Sequence, residues 1–139
     1  MAARWLDFRA NLADYARYHE RRGNRLCHGV GIPLIMLAIV RWTQWPGFPW
    51  VPGAAVVLPL YVYWDAGLGL AMAAVILAMA AVAQHLSPVA VWTAFILGWI
   101  FQFVGHAVFE KKSPAFTRNL IHLLVGPMWI LKKALTRGE

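Results

Sequence analysis

The sequence predicts an all-α, polytopic membrane protein folded as one membrane-embedded domain over residues 1–139. It predicts four transmembrane helices, an amphipathic helix before them and an interfacial helix after them. Composition is the first reason. The chain is 60% hydrophobic and 14% charged, where a soluble domain carries roughly a quarter charged residues. Size is the second. A domain of 139 residues buries proportionally little of its surface, so this apolar excess requires lipid as solvent. Charge placement is the third. Six basic residues precede position 26, six follow position 110, and only Arg41 lies between. The positive-inside rule then puts both termini on the cytoplasmic side and demands an even number of spans.

The elements follow in order. In residues 1–22, Trp5, Phe8, Leu12, Tyr15 and His19 recur at helical spacing and form one stripe. Arg4, Asp7, Asn11, Asp14, Arg17 and Arg21 fall elsewhere on the wheel, as in a helix lying on a membrane surface. These charges also argue against a secretory leader. Gly23-Asn24 is expected to end this helix, with Asn24 capping the next. Residues 26–42 form the first apolar run, with a kink expected near Gly29–Pro33. The turn from Trp45 to Pro52 is rich in Trp and Pro and suits an aromatic belt.

The second run, 50–64, is short for a span. Asp65-Ala66-Gly67 reads as a tight turn, and Ser87-Pro88 separates the third run, 66–86, from the fourth, 89–109. Ser113-Pro114 reads as the cap and first position of a final helix. Its apolar stretch, Leu120–Leu131, is too short to span and is interrupted by Gly126-Pro127. The net charge of +7 lies beside apolar runs, which favours anionic lipid headgroups over nucleic acid. A single cysteine, Cys27, allows no internal disulfide and reads as a small buried residue.

The chemistry concentrates in the histidines. With both ends cytoplasmic, His19, His28, His106 and His122 fall at one membrane depth. His85 ends the third run, which is read as returning to the same side, so depth does not separate it. Arg41 and Asp65 are expected near the opposite face, anchoring turns. Ionisable groups cost roughly 2–3 kcal/mol or more at the bilayer centre, so they are paired or functional. Converging neutral imidazoles suit Zn, Fe, Cu or Ni. Gln102, His106 and Glu110 lie at i, i+4 and i+8 on one helix face. Glu110 is either a partner of His106 or a membrane-edge carboxylate beside Lys111 and Lys112. Tyr15 and His19 are likewise one turn apart. No nucleophile elbow, H-E-x-x-H or phosphate-binding glycine loop occurs.

Three blocks carry a resemblance. They are Tyr18-His19-Glu20 with Asn24, His28 and Gly31-Ile32-Pro33; Gln102 to Lys111 followed by Pro114-Ala115; and Asn119-Leu120 with Leu124 and Gly126-Pro127. In these the chain resembles the 2-hydroxy fatty acid dioxygenase family, a fungal endoplasmic-reticulum α-oxidation enzyme and its bacterial relatives. The middle, roughly 43–90, matches only in hydropathy. The resemblance implies an Fe(II)-dependent membrane enzyme that shortens 2-hydroxy fatty acids by one carbon with O2. It implies a bacterial inner membrane, an iron site of His19, His28 and His106, and His122 from the weaker block; His85 matches nothing.

Glu110 and Tyr15 join the site as catalytic residues, Glu110 either touching iron or orienting His106. Arg22, Arg25 or Lys111 would steer the substrate carboxylate, unless they only anchor the chain at the membrane. The acyl tail is expected in lipid or in a groove lined by Leu34, Leu37, Ile96 and Phe103. Two rival readings keep the same helices: a haem-ligating electron-transfer protein, and a non-catalytic membrane partner protein.

Overall fold

The protein is described by a computed structural model over residues 4–46 and 51–136. Every regular element there is helical: α1 Phe8–Arg17, α2 Arg22–Thr43, α3 Ala54–Trp64, α4 Ala66–Ala83, α5 Pro88–Val104 and α6 His122–Leu135. A π-helical turn, Gly105–Glu110, extends α5, and 3-10 turns occupy Arg4–Leu6 and Ala115–Thr117. Three helical segments are long and apolar enough to cross a membrane: Arg22–Thr43, Ala66–Ala83 and Pro88–Glu110. The second apolar run is shorter than expected. Its helix, α3, has 11 residues, about 16 Å against a bilayer core of about 30 Å. The expected four spans therefore become three helices of spanning length and one short one. Part of the Trp-Pro turn, 47–50, lies outside the described residues.

The N-terminal stripe does not form one helix. Asp7 breaks it, its carboxylate accepting the Ala10 N–H at 3.0 Å as an N-cap. Asn11 pins the preceding turn by donating to the carbonyls of Arg4 and Asp7. Phe8, Asn11 and Tyr15 form the buried face of α1. The helix stops at Arg17, so His19 sits in the connection rather than on a helix. Helix α2 already begins at Arg22, so Gly23 and Asn24 lie inside its first turn and Asn24 is not its N-cap. Instead the Glu110 carboxylate accepts the Arg21 N–H at 2.6 Å from 89 residues away. A tertiary contact has replaced the local cap. It also places negative charge where the helix dipole favours it.

Helix α2 continues through Pro33. It runs antiparallel to α5, and glycines set the spacing. A Cβ on Gly31 would meet the Gly98 carbonyl oxygen at 2.7 Å, and one on Gly98 would meet the Gly31 carbonyl oxygen at 2.8 Å. Small residues that let backbones approach are the usual device where lipid removes the hydrophobic drive between helices. Between α3 and α4, Asp65 alone makes the turn, its carboxylate accepting the Leu68 N–H at 2.9 Å. Ser87-Pro88, read in sequence only as the break between the third and fourth runs, turns out to cap α5, with Pro88 in its first turn. Ser113-Pro114 leads only into the 3-10 turn, and α6 carries Pro127 inside it without interruption.

Two placements differ from expectation. The Gln44 side-chain amide donates to the Ala80 carbonyl at 3.0 Å, so α4 ends beside the end of α2. His85, exposed and just past α4, therefore lies at the opposite end of the bundle from His28. Asp65, joined to α3 and α4 at their other ends, lies away from Arg41. The physical reason is parity: each antiparallel helix reverses direction, short α3 included.

The core gathers Phe8, Val40, Tyr61, Met72, Ile76 and Met128 from α1, α2, α3, α4 and α6. Outside it, Val56, Leu70, Leu77, Val89, Trp92 and Ile96 are exposed. An apolar exterior of this extent fits a membrane protein.

Candidate metal centre

Three imidazoles from separate elements meet at one end of the bundle. The connection after α1 supplies His19, the second turn of α2 supplies His28, and the π-helical turn supplies His106. Each is 2% exposed. Ring centroids are 4.2 Å apart for His19–His28, 4.9 Å for His19–His106 and 4.7 Å for His28–His106. One nitrogen of each lies within 4.8 Å of the others, so the group can hold a metal ion.

The backbone orients two of the rings. His19 Nδ1 is 2.7 Å from the Tyr15 carbonyl oxygen, and His28 Nδ1 is 3.0 Å from that of Asn24. An acceptor there selects the Nδ1–H tautomer and leaves the Nε2 lone pair for a ligand, as metal-bound histidines are commonly arranged. His19 Nε2 and His106 Nδ1 are buried with no hydrogen-bond partner. Buried polar atoms are costly when unpaired, so orphaned nitrogens on two rings of a close group of three imidazoles match the donor set a transition metal uses. Burial, reinforced by neighbouring His28, pushes the His19 pKa down to about 2, which keeps this imidazole neutral at physiological pH.

The backbone supports the cluster at two close approaches. Gly105, immediately before His106, packs against Asn24 Oδ1, and a Cβ there would also meet Cys27 Cβ at 3.0 Å. Asn24 is fully buried, and its amide donates to the Tyr18 carbonyl at 2.9 Å. One side chain thus ties the start of α2 to the segment that carries His19. The π-helical geometry at His106 is of a kind found mostly at functional sites. Lys111 closes that turn in the left-handed region, φ 55°.

The remaining candidates are placed differently. His122 stands outside the group of three; its Nε2 lies 3.2 Å from Asp14 Oδ2, within ion-pair reach but poorly aligned for a hydrogen bond. Burial lowers its pKa, and the Asp14 carboxylate opposes that shift. Tyr15 stacks on His19 with centroids 4.0 Å apart and meets His122 edge-on at 5.7 Å. Burial raises its phenol pKa, so the hydroxyl stays protonated. Glu110 is buried and bound to the Arg21 N–H, outside the imidazole group. Arg22 and Lys111 are exposed, and Arg25 donates to the Glu20 carbonyl at 2.6 Å. None of these three cations lines the adjoining cavity. Cys27 is half-buried rather than buried.

Glu110→Gln separates a brace from a ligand. It weakens the cap of α2 by about 0.3–2 kcal/mol while metal content stays near that of the unsubstituted protein. Thermal unfolding and metal analysis on one sample check both expectations; metal loss as complete as in His106→Ala would make Glu110 a ligand.

A cavity of about 400 Å³ opens from the imidazoles. Its lining is mostly aliphatic, and its walls come from α2, α3, α5 and α6. The expected groove residues Leu34, Leu37, Ile96 and Phe103 do not line it. The stripe of α2 that does is His28, Ile32, Ile35, Met36, Ile39, Val40 and Thr43. Ile96 and Phe103 face outward. Alternative apolar faces of one helix look alike in sequence, and only the neighbours decide which one is covered. Gln102 is the residue whose part the sequence left unassigned: it is 6% exposed, lines the cavity, and its Nε2 has no partner. The available signal was its position one turn before His106.

These features define a class: an all-helical protein with helices of membrane-spanning length and a buried group of three histidines able to hold a metal ion. A family model described as "2-hydroxy-palmitic acid dioxygenase Mpo1-like" matches residues 5–138, and the chain belongs to that family. It is 33% identical over 137 residues to "2-hydroxy-palmitic acid dioxygenase MPO1" of Saccharomyces cerevisiae, an alignment that covers 91% of this chain and 78% of the yeast protein. No solved structure matches the chain.

Proposed function

We propose that this protein is an Fe(II)-dependent dioxygenase that shortens 2-hydroxy fatty acids by one carbon, with His19, His28 and His106 as the iron ligands. The carrying observation is the buried group of three imidazoles, two of them with an orphaned nitrogen, in a chain of the Mpo1-like family. The reaction balances without a further cofactor. A 2-hydroxy acid and O2 give the acid one carbon shorter, CO2 and water. The C1–C2 bond breaks, and the substrate supplies all four electrons that reduce O2. Nicotinamide, flavin and 2-oxoglutarate are not needed. Bound iron would supply the activation of O2 that the organic acid lacks.

The chain's own residues do the rest. The carbonyls of Tyr15 and Asn24 hold His19 and His28 in the ligand-ready tautomer. Tyr15 covers the face of His19 and keeps its phenolic proton available at the site. His122 lines the cavity on the far side of Tyr15, with the Asp14 carboxylate 3.2 Å from its Nε2. The aliphatic walls exclude water from the reacting end. The whole chain forms one membrane-embedded domain. The excess of basic residues near both ends favours a cytoplasmic side for both termini, in a bacterium at the inner membrane.

The test is anaerobic purification, loading with Fe(II), and exposure to 2-hydroxypalmitate and O2. Pentadecanoate and CO2 should appear in equal amounts, each matching the O2 consumed. Full iron loading with no pentadecanoate would overturn the proposal. A haem absorption band in the purified protein would favour electron transfer instead.

A further inference from the structure

We propose that a second, polar cavity beside Asp14 holds the headgroup phosphate of one anionic phospholipid, gripped by Arg17, Arg118 and Lys112. The site is independent of the reaction assigned above and would stand if that reaction failed. The cavity measures about 380 Å³ and is lined by Asp14, Arg17, Tyr18, Lys112, Ser113 and Arg118. It shares no lining residue with the aliphatic cavity that opens from the imidazoles. Both lie at the same end of the bundle. Tyr18 directly precedes His19, and the Lys112 N–H donates to the His106 carbonyl at 3.3 Å. Asp14 lines the one cavity, His122 lines the other, and the two side chains meet at 3.2 Å.

Three segments far apart in sequence bring the cations together. Arg17 is the last residue of α1, Lys112 follows the π-helical turn, and Arg118 follows the 3-10 turn Ala115–Thr117. Three cations thus stand against one carboxylate, that of Asp14, which already faces His122. Lys112 is partly engaged: its ammonium donates to the Arg17 carbonyl at 3.4 Å and lies 3.8 Å from the Glu20 carboxylate. Among the described residues, neither the Arg17 nor the Arg118 guanidinium has a carboxylate within 4.0 Å or donates a hydrogen bond. Like charges gathered in one concavity repel, and an anion that fills it removes that cost. Two free guanidinium forks suit the paired oxygens of a phosphate, and Ser113 brings a hydroxyl to the same wall.

The surroundings favour a lipid as the bearer of that phosphate. Basic pockets between membrane helices on the cytoplasmic side are where anionic headgroups bind. Just past Arg118 the surface becomes apolar: Leu120 is 73% exposed and Leu123, in the first turn of α6, is 44% exposed. Acyl chains can lie on that surface while the phosphate stays among the cations.

The test counts bound lipid by native mass spectrometry of the whole protein, in micelles carrying dioleoyl phosphatidylglycerol or dioleoyl phosphatidylcholine. Phosphatidylglycerol should show one binding event, about tenfold or more tighter than phosphatidylcholine. Arg17→Gln and Arg118→Gln should each weaken that event about fivefold. Arg9→Gln and Lys132→Gln remove the same charge from positions outside the cavity and should leave it unchanged. All four side chains are exposed, so the fold should tolerate each change. Equal weakening by the two outside substitutions would overturn the inference, because binding would then follow net charge alone. Equal affinity for the two lipids would do the same. Displacement of phosphatidylglycerol by inorganic phosphate or 2-hydroxypalmitate at comparable concentration would overturn the phospholipid as occupant.

Discussion

Replacing His28 by alanine should abolish both metal retention and turnover while leaving the helices intact. The ring is held by the Asn24 carbonyl and lies 4.2 Å and 4.7 Å from its two imidazole neighbours, centroid to centroid. Loss of a residue that merely orients a ligand typically costs 10–100-fold in metal affinity. Loss of one of three ligands should exceed about 100-fold. Metal analysis of protein purified under identical conditions is the direct measurement, with product formation from 2-hydroxypalmitate alongside. His19→Ala and His106→Ala should behave alike. His85→Ala is the control, since His85 is exposed at the opposite end of the bundle and should keep its metal. Full metal in all three single variants would remove these imidazoles from the site.

Gly105→Ala should produce the largest combined loss of stability and metal from a single methyl group. The added Cβ meets Asn24 Oδ1 and stands 3.0 Å from Cys27 Cβ, and both neighbours belong to α2. Overpacking of this kind costs about 1–3 kcal/mol. Its consequences reach the metal centre by two routes. Displaced backbone at Gly105 carries His106 with it. Displaced Asn24 loses its hold on Tyr18 and moves the carbonyl that orients His28. Thermal unfolding should fall, and the protein should lose metal more easily to a chelator. Gly29→Ala is the comparison, because a Cβ there meets nothing within 4 Å. Equal behaviour of the two variants would show that the close approach at Gly105 is not needed.

Much of this was legible before any coordinates. The helices of spanning length, the break between two runs at Ser87-Pro88, and the block Gln102 to Lys111 could all be read directly. Apolar runs, caps and short motifs are local patterns, and local patterns are what a chain displays along its length. The stripe that includes His19 was misleading. Its spacing is helical, yet the chain leaves the helix at Tyr18 because His19 and the Arg21 N–H find partners in α2 and the π-helical turn. Asn24 has the composition of a cap and serves instead as a brace between two backbones.

The amino-acid order alone set the helical class, the apolar runs of membrane-spanning length and the histidines worth watching, because these depend on composition and on neighbours a few positions away. The fold settled which histidines converge, which side of α2 lines a cavity, and that Glu110 caps a helix begun 89 residues earlier. Those outcomes depend on contacts between distant segments. They are fixed by how closely glycine-lined helices can pack and by which buried polar groups must find a partner, and neither constraint is written in the spacing of any one segment.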